Sequence, residues 1–132
     1  MDKESEMREA IRELIIDLSM PEQLVILIDD ILEPVGLYCG LNVSARDKTD
    51  RYTYLLGAYY TIGVDKDLGY IKLVDDDSND GEITQYVQKT EIGIPLEDIE
   101  EVVGFVENEN GHEFTCIRIL TDMLAFEIMV DI

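Results

Sequence analysis

The sequence predicts an α+β fold, in which an N-terminal helical hairpin packs on a bent antiparallel sheet, or a small partly open barrel, of about six or seven strands. Apolar residues recur with the helical period over the first 34 residues, and from Val35 onward they alternate with the period of strands. Turn-forming residues separate the alternating segments, which favours short antiparallel connections. We therefore expect a single domain over residues 1–132, with 1–34 a helical hairpin and 35–132 an antiparallel β meander.

Two apolar stripes predict the helices. The second helix is expected to begin near Ser19, because Ser19 and Glu22 have the spacing of a capping box and Pro21 suits a first helical turn. Pro34 and Gly36 are expected to end it. We expect both stripes to pack in the core, with a binding groove as the less favoured alternative. They consist of Met7, Ile11, Leu14, Ile15 and Leu18 in the first helix and Leu24, Val25, Ile28, Ile31 and Leu32 in the second.

The remaining chain alternates between strand-like segments and turns. Gly57 is expected to permit a β-bulge, and Asn110-Gly111 is a strong signal for a two-residue hairpin turn. A single helical turn is predicted for residues 95–99. The predicted strands cover residues 37–43, 52–64, 70–74, 82–88, 91–94, 102–106, 112–120 and 124–132.

The stretch from Gly69 to Phe105 resembles small barrels of the Sm-like or SH3-like kind. It contains a strand, a polar hairpin, a second strand and then the pattern Ile-Pro-Leu-x-x-Ile, from Ile94 to Ile99. The resemblance implies an architecture only, because such barrels serve many functions. Some of them bind RNA through basic loops that this sequence lacks.

Acidic residues dominate the composition, with 30 Asp and Glu against 10 Lys and Arg, a formal net charge of -20. This charge repels nucleic acid and anionic lipid and attracts basic surfaces, so we expect no direct nucleic-acid or membrane contact. Neither an apolar run of about 18 residues nor a secretory signal is present, which favours a cytoplasmic location. The expected partner is a basic nucleic-acid-binding protein.

The acidic residues are unevenly distributed, since residues 46–72 carry 5 basic and 4 acidic groups and the remainder carries 5 basic and 26 acidic groups. Carboxylates two residues apart on a strand lie roughly 6–7 Å apart, comparable with the spacing of phosphates. The predicted partner-binding residues are Asp75, Asp76, Asp77, Asp80, Glu82, Glu97, Asp98, Glu100, Glu101, Glu107 and Glu109. Asp29, Asp30 and Glu33 oppose the dipole at a helix C-terminus, which suggests that helix stability alone did not select them.

In size, acidity and lack of catalytic motifs, the chain is similar to inhibitory proteins encoded by bacteriophage, including many anti-CRISPR and anti-restriction proteins. The similarity implies a nucleic-acid mimic that inhibits a basic nucleic-acid-binding protein. The alternative is a structural or assembly protein that forms a homo-oligomer through an exposed strand edge, with its acidity serving solubility. The candidates for such a self-association surface are Tyr52, Tyr54, Tyr59 and Tyr60.

No catalytic residue, cofactor or metal site is predicted. His112 is the only histidine and has no neighbouring nucleophile, so we expect an exposed turn neighbour. The segment from Asp76 matches the start of a calcium loop, but Val87 occupies the position of the bidentate glutamate, which favours a plain acidic turn. Cys39 and Cys116 are expected to be buried free thiols.

Overall fold

The computed structural model describes residues 2–46, 53–75 and 91–132, and for residues 53–59 it describes the backbone only. Helices α1 (Lys3–Ile16), α2 (Pro21–Leu27) and α3 (Glu33–Val35) precede a seven-stranded antiparallel sheet that is not closed, which confirms the α+β prediction. The strands are β1 (Tyr38–Ala45), β2 (Thr53–Asp65), β3 (Tyr70–Asp75), β4 (Glu91–Pro95), β5 (Glu101–Glu109), β6 (His112–Leu120) and β7 (Leu124–Val130).

The sheet consists of two meanders joined at its centre, in the order β4-β3-β2-β1-β7-β6-β5. The join is the pairing of β1 with β7, from Cys39 opposite Val130 to Ala45 opposite Leu124. Although β4 and β5 are the opposite edges, only residues 96–100 connect them. The six residue steps from Pro95 to Glu101 span at most about 20 Å, so the sheet curls until its two edges approach each other at this end.

A single apolar cluster joins the helices to one face of the sheet. Every strand contributes to it, with Tyr60, Ile71, Ile94 and Ile128 among the most deeply buried side chains. From α1, the buried residues are Ile11 and Ile15. Helix α1 lies against β5 and β6, and the segment from α2 to α3 lies against β2 and β5.

The first apolar stripe is only partly buried. Ile11, Ile15 and Leu18 lie in the core, as predicted, but Met7 is 41% exposed and Leu14 is 46% exposed. The expectation of core packing is therefore wrong for Met7 and Leu14. Along α1, the sheet covers the line of Ile11 and Ile15, and Met7 and Leu14 lie together on one side of that line.

Helix α2 begins one residue later than predicted, with Met20 as its N-cap. The Gln23 side-chain oxygen accepts hydrogen bonds from the N–H groups of Ser19 at 2.9 Å and Met20 at 3.1 Å. The predicted capping pair of Ser19 and Glu22 is therefore wrong, because the later start moves the third helical position from Glu22 to Gln23.

A π-helical turn, Ile28–Leu32, follows α2 directly and leads into α3. It is closed by the Glu33 N–H, which donates to the Ile28 carbonyl five residues earlier. The helical path passes through Pro34 instead of stopping there, and Gly36, with φ of 74°, caps it. The prediction that Gly36 ends the helix is confirmed, and the prediction that Pro34 does so is wrong, because the wide turn before Pro34 lets the chain continue.

Most of the predicted strands and turns are confirmed. Asn110 and Gly111 have φ of 52° and 82° and join β5 to β6. Residues Leu96–Asp98 form the predicted helical turn, of the 3-10 type. The register of β1 and β2 shifts on both sides of Leu41, the partner of Gly57. The predicted strand over 82–88 lies outside the described residues.

Candidate functional site

Six of the predicted partner-binding residues lie on the edge strand β5 or in the turn before it. We call this group the acidic edge, and all of its members are exposed. Asp75 lies apart from it, partly buried at the end of β3 and opposite Tyr60 of β2. The acidic edge consists of Glu97, Asp98, Glu100, Glu101, Glu107 and Glu109. The other predicted residues lie outside the described part of the chain, namely Asp76, Asp77, Asp80 and Glu82.

Strand β5 fixes the spacing of the acidic edge. It pairs with β6 along its whole length, from Glu101 opposite Leu120 to Glu109 opposite His112. At about 3.3 Å per residue, Glu101 and Glu109 are roughly 26 Å apart along the strand, and Glu107 and Glu109, on the same face, are roughly 7 Å apart. One nucleic-acid strand carries a charge about every 3.4 Å, so the edge is as long as about eight nucleotides.

Most members of the acidic edge have no neutralising partner among the described residues. The exception is Glu100, which forms an ion pair with Arg46. Arg46 also donates to the Thr121 carbonyl at 2.8 Å, which fixes the start of β5 to the turn between β6 and β7. The other described ion pairs use carboxylates elsewhere: Arg8 with Glu4, Arg12 with Glu9 and Glu113, Lys66 with Asp29, and Arg118 with Glu127.

The structure adds two acidic residues that the sequence prediction omitted. Glu113, at the start of β6, lies opposite Asn108 and forms an ion pair with Arg12 of α1 at 2.8 Å. Asp122 is exposed in the turn beside Thr121. The Asn110-Gly111 turn signal predicts that Glu113 lies opposite Asn108, and therefore on the other face of the sheet from Glu107 and Glu109. Asp122 has no comparable local signal.

The acidic residues near the end of the second helical segment have structural partners. Asp29 pairs with Lys66 at 2.6 Å and, through that hydrogen bond and its charge, raises the pKa of Lys66. Glu33 accepts a hydrogen bond from the Val64 N–H at 3.4 Å, where β2 extends beyond the end of β1. Asp29 and Glu33 therefore contribute to folding through tertiary contacts, because they attach the helices to β2 and to the turn that follows it.

The outer face of β5 and β6 carries a shallow apolar depression of ≈ 320 Å³, lined by Glu101, Val103, Phe105, Arg118 and Leu120. The Arg118 guanidinium lies 5.7 Å from the centre of the Phe105 ring and 2.5 Å from the Glu127 carboxylate. Its positive charge is thereby neutralised and partly covered. This surface offers packing and hydrogen-bond contacts rather than a reactive group.

The described cysteines and the histidine lack the surroundings of a reactive centre. Cys39 and Cys116 are buried and free, as predicted. Burial raises the pKa of Cys39 to about 12 and that of Cys116 to about 11, so both thiols are protonated at neutral pH. His112 is exposed beside the turn, as predicted. Across residues 2–46, 53–75 and 91–132, no group of three or more His, Cys, Asp or Glu is arranged to hold a metal ion.

Comparison of the chain with protein-family models, with curated proteins and with solved structures gives no match. Within the described residues, none of the helices combines the length and the apolar character that crossing a membrane requires. Of the predicted self-association tyrosines, Tyr60 is buried in the core at 2% exposure, so its assignment to an exposed surface is wrong. The side chains of Tyr52, Tyr54 and Tyr59 lie outside the described part of the chain.

Proposed function

We propose that this protein is a non-enzymatic binding protein whose acidic edge occupies the nucleic-acid-binding surface of a basic protein. The observation that supports the proposal is the group of exposed carboxylates on β5 and in the turn before it, of which only Glu100 has a described cationic partner. A basic cleft built for phosphates attracts such a group and gains ion pairs with it. Inhibition then results from competition for the cleft, without any chemical step.

The rigidity of the edge supports mimicry over general acidity. Because β5 is hydrogen-bonded to β6 throughout, its carboxylates keep a fixed spacing before the partner arrives. A flexible acidic tail would lose conformational entropy when it adopts that spacing, whereas a strand has already lost it on folding. The ion pair of Arg46 with Glu100 holds the turn that carries Glu97 and Asp98 in the same way.

The alternative, a homo-oligomer joined through a strand edge, has one observation in its favour, which is that β5 is a nine-residue edge strand. Two observations oppose it. The Gly104 N–H already donates to the Leu18 carbonyl at 3.3 Å, so the chain leaving α1 covers the middle of β5. A second β5 would also bring the carboxylates of two acidic edges together, which is unfavourable.

The proposal is tested with two variants of equal charge. The edge variant carries Glu97→Gln, Glu101→Gln, Glu107→Gln and Glu109→Gln. The control variant carries Glu6→Gln, Glu13→Gln, Glu22→Gln and Asp67→Asn, which are exposed and have no described ion pair. Each variant changes the formal net charge from -20 to -16, since four carboxylates are neutralised.

Immobilised protein is used to capture basic proteins from the heparin-binding fraction of a cell extract, and the captured protein is purified for titration. We expect its affinity to fall at least about tenfold for the edge variant and about twofold or less for the control variant, and to weaken steeply with salt. Equal affinities of the two variants would contradict the proposal. A stable oligomer in light scattering, with no basic protein captured, would support the assembly alternative.

A further inference from the structure

A second surface, formed by the helices alone, lies between α1 and α2. It is a groove of ≈ 290 Å³ that continues onto the π-helical turn. Its floor is apolar and its rim carries two carboxylates and one amide. The lining residues are Leu14, Asp17, Leu18, Gln23, Ile26, Leu27, Asp30 and Ile31.

Large apolar side chains around this groove are exposed to solvent. Of the lining residues, Ile26 is 61% exposed and Leu14 is 46% exposed. Isolated exposed apolar side chains are common, but a contiguous group with polar residues at its rim is typical of an interaction site. Ile26 and Leu14 lie outside the core, whereas their chain neighbours Leu27 and Ile15 are buried in it.

The rim of the groove is suited to positive charge. Asp17 is the C-cap of α1, and the last turn of that helix contains no basic residue. Asp30 is exposed and has no hydrogen bond or ion pair among the described residues, although its charge helps to raise the pKa of Lys66. The partial negative charge of a helix C-terminus adds to these carboxylates and favours a cation at this end of the groove.

These features together point to one kind of occupant. A second copy of the chain is disfavoured because each copy carries a formal net charge of -20 and would place carboxylates against carboxylates. An amphipathic helix from a basic partner fits instead, since its apolar face can cover Leu14 and Ile26 while its Lys or Arg residues pair with Asp17 and Asp30.

We propose that the groove between α1 and α2 is a docking site for a basic amphipathic helix of a partner protein. The site is separate from the acidic edge, because it is built from helical residues while the acidic edge lies on β5 and the turn before it. The two proposals can therefore fail independently. If both hold, a partner makes apolar contact at the helices and ionic contact at the sheet edge.

The experiment uses the full chain and two labelled synthetic peptides of about 18 residues, both made of Leu and Lys in the same proportion. In the first peptide, Leu is placed at helical spacing so that one face is apolar. In the second, the same residues are reordered so that no apolar face forms. Fluorescence anisotropy measures the dissociation constants, and circular dichroism shows whether the bound peptide is helical.

We expect the amphipathic peptide to bind at least about tenfold more tightly than the reordered peptide and to become helical on binding. The double variant Leu14→Gln and Ile26→Gln should remove most of that preference while the protein remains folded, because both side chains are largely exposed. Asp17→Asn with Asp30→Asn should weaken binding about fivefold to tenfold. The matched control is Glu6→Gln with Asp67→Asn, two exposed carboxylates outside the groove and the acidic edge, and it should change binding less than about twofold.

Equal binding of the two peptides, or an equal loss with the Glu6 and Asp67 control, would overturn the proposal, because either result means that total charge alone drives binding. A dimer of the free protein in light scattering that the Leu14 and Ile26 variant abolishes would also overturn it, in favour of a second copy. Loss of peptide binding with retained capture of basic proteins would leave the acidic-edge proposal intact.

Discussion

Gly104 of β5 lies directly against the backbone of Ile15 in α1, so that a Cβ atom at position 104 would overlap the Ile15 carbonyl oxygen. The Gly104 N–H also donates to the Leu18 carbonyl at 3.3 Å. The missing side chain thus allows the end of α1 to approach an edge strand closely. This contact sets the position of the helical hairpin relative to the acidic edge. Because the hairpin forms the groove, the contact also sets where the groove lies on the sheet.

Gly104→Ala is expected to destabilise the fold by about 1–3 kcal/mol, because the obstructing atom is backbone and the helix must move away from the sheet. The matched control is Gly93→Ala in β4, where the new Cβ would meet the edge of the Tyr70 ring at 3.2 Å, a side chain that is partly exposed and can rotate. Urea unfolding of both variants measures the difference. Equal stabilities would contradict the assigned contact.

The buried thiol of Cys39 is expected to limit stability at alkaline pH. Burial raises its pKa in the folded protein from 9.0 to about 12, so the folded state favours the protonated thiol. The stabilisation that results from this preference is therefore complete below about pH 9. As the pH rises towards 12, the free energy of unfolding decreases by up to about 1.4 kcal/mol per pH unit. The free energy of unfolding, measured by urea titration from pH 8 to 11, should fall less steeply in Cys39→Ala than in the wild type.

Cys116→Ala provides the comparison for that measurement. Burial, followed by the charges of Glu107 and Glu127, raises the pKa of Cys116 to about 11, a smaller increase. Its removal should therefore flatten the alkaline loss of stability less than removal of Cys39 does. Parallel pH profiles for the wild type and both variants would contradict the burial of the thiols.

The pairing of Arg118 with Glu127 is expected to contribute about 1 kcal/mol, since both side chains are partly exposed and the Arg118 guanidinium also contacts Phe105. Glu127→Gln should destabilise the wild-type fold more than it destabilises the Arg118→Met variant. The reason is that, in the wild type, the change leaves the Arg118 cation without its partner. A double-mutant cycle from thermal unfolding gives the coupling energy. A coupling near zero would show that the pair is screened by solvent.

Salt is expected to affect stability and binding in opposite directions. The formal net charge of -20 makes the folded chain repel itself, so raising sodium chloride from about 0.02 to 0.5 M should increase the melting temperature. The same increase should weaken the binding of a basic partner. A melting temperature that falls with salt would mean that the described ion pairs outweigh the surplus of carboxylates.

Local sequence patterns predict the hairpins well, because each turn signal acts on the strands next to it. Asn110-Gly111 is the clearest example, and it places Glu107 and Glu109 on one arm and Glu113 on the other. Long-range relationships have no such signal. The pairing of Cys39 with Val130, which joins the two meanders, depends on closure of the whole chain, and so does the contact of Gly104 with Ile15.

The candidate site is predictable to a similar extent. The acidic edge can be read from the sequence because its residues are neighbours in the chain, whereas the separation of Asp75 from them follows from the order of the strands. Periodicity also assigned Leu14 to the core, since a helical stripe does not reveal how much of its width the sheet covers. Gln23, Asp29 and Glu33 acquire their roles only from the late start of α2 and the path of the chain past β2.

Displacement of nucleic acid from a captured basic protein tests the central claim most directly. Fluorescence anisotropy of a labelled duplex bound to the purified partner is followed while the wild type, the edge variant or the charge-matched control variant is added. We predict that the wild type and the control variant release the duplex over the same range of concentrations in which they bind the partner. The edge variant should need at least about tenfold more protein for the same release. Release by all three at the same concentration, or a ternary complex in which the duplex stays bound, would contradict the claim that the acidic edge takes the place of nucleic acid.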